Sequence, residues 1–277
     1  LIVPVTTGNI AGQVLFGQYK ILMTTIVSIF YYPVVLAWSL AYFFFMIALW
    51  VLTVLFDRER VVLHKASYFW ARSLVWLNPL WKLRVYGKEN VDPKGSYVIT
   101  VNHQSMIDIP LMYVLPKLNF TWVATQAVYR WTLFGVVLLL HGDITIEEGS
   151  VRKARSFITK GVERLKRGTS VIIFPEGSRS KDGEIKNFKE GAFLLAKEAG
   201  VEILPCVING VKKFIKGWRI QRTTFEISIL PPVKATAVQS QGTRETMKQV
   251  REVTVEELAR LRGVDGTRPA VSKDVIK

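Results

Sequence analysis

Cysteine is almost missing. Cys206 stands alone in 277 residues, which excludes an internal disulfide framework and any thiolate-rich metal site. Histidine is nearly as scarce, at three, which leaves little for an imidazole cluster. No metal and no cofactor are expected. Glycine at 19 and proline at 11 are too few for a collagen-like or proline-rich chain. Acidic residues are absent from the first 56 positions, where Lys20 is the only charge. No G-x-S-x-G occurs, so a nucleophile elbow is excluded. Charged residues reach 21% against 49% apolar, which is not the balance of a disordered chain.

What is present divides by charge. Lys and Arg total 37 against 22 Asp and Glu, a net +15, so an anionic partner is expected: a phosphate, a lipid headgroup, an acidic carrier or nucleic acid. Ile21 to Phe56 holds no ionisable acid or base. As one helix it would run about 54 Å, against a hydrocarbon core about 30 Å thick. Pro33 is expected to end or kink it, leaving Val34–Phe56 able to span by itself. Trp38, Tyr42, Phe43, Phe44, Phe45 and Trp50 leave no polar face, which speaks against a buried core helix. Asp57-Arg58-Glu59-Arg60 stops the run. A second, amphipathic helix is predicted over 58–77, ended by Asn78-Pro79. It mixes Lys65 and Arg72 with Tyr68, Phe69, Trp70 and Trp76, as suits a headgroup boundary. Residues 1–20 read as an unstructured lead-in and residues 21–82 as a membrane-embedded two-helix motif, spanning or dipping into one leaflet.

Residues 83–262 read as an α/β domain. Short β-rich runs occur at 83–86, 97–101, 120–124, 143–146, 170–174, 203–207 and 225–230. Helical stretches are predicted at 107–115, 150–167, 188–199 and 243–261. Gly168 and Gly200 stand where helix C-termini want glycine. The alternation predicts a mixed, largely parallel sheet flanked by helices. Residues 263–277 read as a tail.

Two motifs carry chemistry. Asn102-His103-Gln104-Ser105-Met106-Ile107-Asp108 follows an apolar strand, and strand ends are where α/β sheets place ligands. Asp108 is spaced to reach back to His103, fix its tautomer and stabilise the imidazolium. Ser105-x-x-Asp108 equally fits a helix-capping pattern. With no serine elbow, the nucleophile is expected to be a substrate hydroxyl. The second motif is Phe174-Pro175-Glu176-Gly177-Ser178-Arg179, again after an apolar strand. Gly177 permits close approach of backbone, and Arg179 offers a donor fork suited to phosphate. A turn with a surface ion pair fits it too.

Together, H-x4-D and F-P-E-G-S-R about 70 residues apart resemble the glycerolipid acyltransferase family of the 1-acylglycerol-3-phosphate O-acyltransferase type. Ile203-Leu204-Pro205-Cys206-Val207 matches a further family element. The resemblance implies that His103 deprotonates an acceptor hydroxyl and Asp108 orients it. The hydroxyl then attacks the thioester of acyl-CoA or acyl-carrier protein, without an acyl-enzyme. Asn102, Ser105, Glu176, Gly177, Ser178 and Arg179 are the implied substrate-binding residues, with the acceptor a lysolipid. It also implies a membrane location, here read as the cytoplasmic face of a bacterial inner membrane; the long apolar run speaks against nucleic acid as the partner.

The chain departs from the family at two cationic positions. Gly142-Asp143-Ile144-Thr145-Ile146-Glu147-Glu148 carries Glu148 where an arginine is usual, and Val123-Ala124 is followed by Thr125 and Gln126 instead of lysine. Arg130, Arg152, Lys153 or Arg155 are candidates to compensate. An alternative acceptor is a lyso-aminolipid, whose cationic headgroup would suit Glu147 or Glu148. A reading of another class is a non-catalytic lipid-binding protein. Lys212–Arg222 is basic and aromatic, fit to dock anionic lipid or an acidic carrier, or to be a solvated loop. Residues 131–140 are expected to pack in the core or line an acyl tunnel. Cys206, His64 and His141 are expected to be structural.

Overall fold

The computed structural model describes residues 8–113, 115, 118–126, 132–146, 151–263 and 275–276. Helix α1 (Gly8–Thr53) has 46 residues, roughly 69 Å of helix. Two expectations change here. Residues 8–20 are helical rather than an unstructured lead-in, and Pro33 sits inside α1 without ending it. Side-chain anchors on both sides of Pro33 offset its cost to the helix. Tyr31 donates to Leu74 O at 2.7 Å, Tyr32 to Trp218 O at 2.8 Å, and Trp38 to Ser73 Oγ at 2.7 Å.

Helix α2 (Val61–Trp76) folds back antiparallel on α1. Its start is set by Asp57, whose carboxylate accepts from Val61 N at 2.9 Å and Val62 N at 2.8 Å, satisfying first-turn donors. Only 11% of an 18-residue apolar window within α1 is buried in the molecule, unlike a core helix. Phe16, Phe30, Leu52, Leu55 and Phe56 all project outward.

The strands are β1 (Trp81–Tyr86), β2 (Tyr97–Val101), β3 (Phe120–Thr125), β4 (Ile144–Ile146), β5 (Ser170–Ile173), β6 (Glu202–Asn209), β7 (Ile215–Lys216), β8 (Arg219–Ile220), β9 (Thr223–Ile229) and β10 (Val275–Ile276). Eight form one sheet in the order β10-β1-β9-β6-β2-β5-β3-β4, and β7 and β8 form a separate hairpin. The run β6-β2-β5-β3-β4 is parallel throughout. β9 meets β6 antiparallel and carries β1 alongside it in parallel. β2 is buried at all five positions, as a central parallel strand covered on both faces must be. The end of the expected tail pairs with the sheet edge, Leu83 opposite Ile276.

Alternation sorts the side chains onto two faces. Ile99, Val101, Phe120, Trp122, Ile172, Leu204, Cys206 and Ile227 meet Tyr31 of α1, Ala71 and Val75 of α2, and Leu111 of α3 (Asp108–Met112). Helix α4 (Thr132–His141) lies against the α1–α2 pair. Val98, Val171, Ile173, Ile203 and Val207 meet the opposite layer. That layer consists of α5 (Val151–Lys166), α6 (Gly191–Ala199), α7 (Ala235–Gln241) and α8 (Thr243–Arg262). The long apolar helix thus packs on one face of the sheet and the amphipathic helices on the other.

Candidate active site

β2 ends at Val101, and the chain turns into the loop that leads to α3. Asn102 comes first. Its Nδ2 donates to Ile208 O at 3.0 Å and its Oδ1 accepts from Ile208 N at 2.7 Å. The side chain therefore acts as one more rung between β2 and β6. Expected to touch substrate, Asn102 is instead 1% exposed with both amide atoms committed to backbone.

His103 Nδ1 lies 2.8 Å from Asp108 Oδ2. The same oxygen accepts from Gln104 N at 2.7 Å and Ser105 N at 2.8 Å. Asp108 is fully buried at the first turn of α3. Asp108 therefore closes the loop before α3 onto itself and holds the imidazole there, without capping the helix. A carboxylate facing Nδ1 selects the tautomer with hydrogen there and leaves the lone pair on Nε2. Nε2 has no hydrogen-bond partner among the described residues. The ring lies flat on Phe174, centroids 3.9 Å apart and planes 14° apart, and Phe174 stacks in turn on Trp122 at 5.5 Å.

Glu176 holds this loop from the other motif. Its Oε1 accepts from His103 N at 2.8 Å and its Oε2 from Lys186 N at 3.0 Å. Ser180 N donates to His103 O at 2.8 Å, so both backbone polar groups of His103 are gripped by the chain after β5. Burial raises the Glu176 carboxyl above its ordinary value, while the His103 and Lys186 amides pull the other way. Glu176, expected to contact substrate, here has both carboxylate oxygens engaged by backbone amides. Gly177 closes the turn, its N donating to Phe174 O at 3.0 Å. Its φ is +71°, a left-handed backbone that favours glycine at this place.

Ser105 spends its Oγ on Ile107 N at 3.4 Å, and Ser178 Oγ accepts from Lys186 Nζ at 3.1 Å. Arg179 is exposed, and its guanidinium has no partner among the described residues. The expected ion pair to Glu176 does not form. Lys186, Gln104 and Trp122 were not singled out from the sequence. Gln104 Nε2 donates to Gly183 O at 3.1 Å and Lys186 Nζ to Arg179 O at 2.7 Å, so both brace the loops. Gln104 lies inside the first motif and Lys186 soon after the second, which was the available signal.

Two spaces adjoin these loops. An apolar cavity of about 180 Å³ lies on the α1–α2 side, walled by Leu36, Trp70, Ile109, Trp122 and Val137 among others. Trp122 thus separates the cavity from the Phe174–His103 stack. A polar cleft of about 910 Å³ opens at Gln104 on the opposite face, lined also by Arg84, Glu226, Lys212 and Arg262.

A family model described as Acyltransferase matches residues 82–209, from β1 to the end of β6, and so contains both loops. A chloroplastic 1-acyl-sn-glycerol-3-phosphate acyltransferase, LPAT1 of Arabidopsis thaliana, is 31% identical over 163 residues, 58% of this chain and 45% of that one. The enzyme of that name in Escherichia coli is 27% identical over 200 residues, 71% of this chain and 82% of that one. A solved structure, PlsC from Thermotoga maritima, superposes with a TM-score of 0.68 at 23% identity, over 92% of this chain and 100% of that one. Residues 82–209 thus match the acyltransferase family model, and the chain is similar to 1-acyl-sn-glycerol-3-phosphate acyltransferases and shares the fold of PlsC. The chain spans about half the length of the plant and algal relatives it matches, 45% and 58% of two of them.

Thr125 ends β3 in register with Ile146 at the end of β4, on the same sheet edge as His103. Glu147, Glu148 and Arg130 lie outside the described residues, as do the side chains of Arg152 and Lys153; Arg155 is exposed on α5. Asp143, just before β4, accepts from Trp122 N at 2.7 Å and Thr121 Oγ1 at 3.1 Å. Burial pushes its carboxyl up to about 7 against those hydrogen bonds. Cys206 is buried in β6, and burial raises its thiol. His64 packs edge-on to Phe120 at 4.0 Å, and burial first, then nearby His141, lowers it to about 3. His141 bonds to Ser67 and Val137 O.

Proposed function

We propose that this acyltransferase works at a membrane surface and moves a fatty acyl group from a thioester donor to the free hydroxyl of 1-acylglycerol-3-phosphate, forming phosphatidic acid. The observation that carries the reading is the open Nε2 of an imidazole whose other nitrogen is held at 2.8 Å by a buried carboxylate. Nε2 takes the hydroxyl proton as the oxygen attacks the thioester carbonyl. The tetrahedral adduct collapses with cleavage of the C–S bond, and the imidazolium returns the proton to the departing thiolate. Asp108 stabilises that imidazolium and keeps the ring in register. No serine is needed as nucleophile, and Cys206 is too deeply buried to serve. Arg179, exposed and unengaged, is the cation offered to the acceptor phosphate. The outward apolar face of α1 and the bracing of α2 support insertion into a bilayer, where the lysolipid acceptor resides.

Thiol release from acyl-CoA and from acyl-carrier protein, followed over a panel of acceptors, tests this. Lysophosphatidic acid is expected to be acylated, and His103→Ala to cut the rate by a factor on the order of 10³ or more while leaving thermal unfolding in place. Acylation of a lyso-aminolipid with lysophosphatidic acid left untouched would move the acceptor to that class and assign the two glutamates at 147 and 148 to its headgroup. A His103→Ala variant of undiminished rate would remove the enzymatic reading.

A further inference from the structure

We propose that the hairpin of β7 and β8 is a docking platform for anionic lipid headgroups, placed to set where α1 lies in the membrane surface. The inference rests on the membrane-bound reading above and extends it. Lys212–Arg222 holds five basic residues and no acidic one. Lys212 is used internally, its Nζ bonded to Ser180 O and Lys181 O. Lys213, Lys216, Arg219 and Arg222 have no side-chain hydrogen bond or ion pair among the described residues. Elsewhere the chain neutralises many of its cations: Arg164, Arg167, Lys234, Arg244 and Arg262 all meet carboxylates. Four unneutralised cations on one short hairpin make a surface that wants an anion.

The hairpin is rooted, so its charges are presented rather than trailing. Ile215 faces Ile220 and Lys216 faces Arg219, with Gly217 at φ +62° in the first place of the two-residue turn. Ile220 is buried, and its N donates to Ser28 Oγ of α1 at 2.8 Å. Trp218 O accepts from Tyr32 of α1 at 2.8 Å. Phe214 packs on Trp81 and Phe225 at 5.8 and 6.1 Å. The Trp218 side chain is 54% exposed at the turn, and on α1 beside these bonds Ile29 and Phe30 are 54% and 70% exposed.

This continuity decides the partner. Exposed apolar residues of α1, an exposed tryptophan and four cations thus lie side by side, the mixture suited to acyl chains, carbonyl boundary and headgroups of a bilayer. An acidic carrier protein would match the charge but not the apolar flank.

The test uses the full chain in nanodiscs, labelled with an environment-sensitive fluorophore at Ile215→Cys; the native thiol is buried and does not compete. In discs of phosphatidylcholine mixed with phosphatidylglycerol the label is expected to shift to the blue and brighten severalfold. In phosphatidylcholine alone it should not, and added salt should reverse the response. Lys213→Gln, Lys216→Gln and Arg219→Gln together should move the phosphatidylglycerol content needed for half-response to a much higher level, since each headgroup contact contributes about a fivefold preference. Trp218→Ala should weaken the response with all charges retained. Equal signals in both discs, an unchanged triple variant, or a signal evoked by acyl-carrier protein instead of lipid would each overturn the proposal. Acyl transfer to a water-soluble short-chain acceptor is read on the same samples. Loss of the lipid response with transfer intact sinks only the docking surface, and a lipid response without transfer sinks only the enzymatic reading.

Discussion

Asn102 and Glu176 sit in the two motifs, and both spend their side chains on backbone. Asn102 answers both polar groups of Ile208 inside the sheet. Asn102→Ala would leave two buried backbone groups unpaired, at about 1–3 kcal/mol each. The expected outcome is a lowered Tm and denaturant midpoint, with an unchanged acceptor KM in the protein that remains folded. Glu176 accepts two backbone amides that belong to different loops. Glu176→Gln keeps the shape and removes one acceptor, so one N–H faces an amide NH2. Because one of those donors is His103 N, the loss should appear in kcat, on the order of tenfold or more, with little change in KM. Equal losses in Asn102→Ala and Glu176→Gln, both explained by unfolded protein, would contradict this division of labour.

At the scale of elements, the junction of β3 and β4 makes a pH-dependent prediction. Asp143 ties Thr121 and Trp122 of β3 to the entry of β4, and its carboxyl stands at about 7 where an exposed aspartate lies near 4. The folded state therefore binds this proton more tightly than the unfolded one. Its contribution to stability falls as pH rises from about 4 to about 7 and is constant above that. Asp143→Asn keeps an acceptor for both donors and has no proton to lose. Urea unfolding should find the variant equal to the parent near pH 4 and more stable by on the order of 3 kcal/mol at pH 8; a difference independent of pH would contradict the assignment.

The same elements show what the sequence disclosed. The central strands were legible because a strand buried on both faces is a continuous apolar run, as at 97–101 and 170–174. α8 was legible from its charged, helix-forming composition over 243–261. The antiparallel turn of β9 against β6 was not, since strand direction is set by the connection. Nor was the hairpin, whose strands are two residues each. Pro33 misled because its local cost is visible in sequence while the anchors from Tyr31, Tyr32 and Trp38 are not. In the site, the His103–Asp108 pair could be read because its spacing is local. The inward turn of Asn102 and Glu176 could not, because their partners lie 106 and 73 or fewer residues away.

On the scale of the whole molecule, the helical layer and the reacting loop are joined through one aromatic wall. Leu36 of α1 and Val137 of α4 face the apolar cavity from one side and Trp122 from the other, and Trp122 passes contact through Phe174 to the imidazole. An acyl chain whose thioester carbonyl meets Nε2 finds its nearest apolar shelter in that cavity. The length of chain accepted should then depend on cavity depth rather than on the residues of the two motifs. Leu36→Trp and Val137→Phe fill the space from different helices. Each denies burial to about two methylenes, near 0.8 kcal/mol apiece, so the preference for long over short acyl thioesters should fall roughly tenfold. Competition between thioesters of different length, at saturating acceptor, reads this ratio directly. Acceptor KM should hold, because Arg179 and the loop after β5 lie away from the filled space. An unaltered chain-length profile in both variants, with the proteins folded, would place the acyl tail outside this cavity.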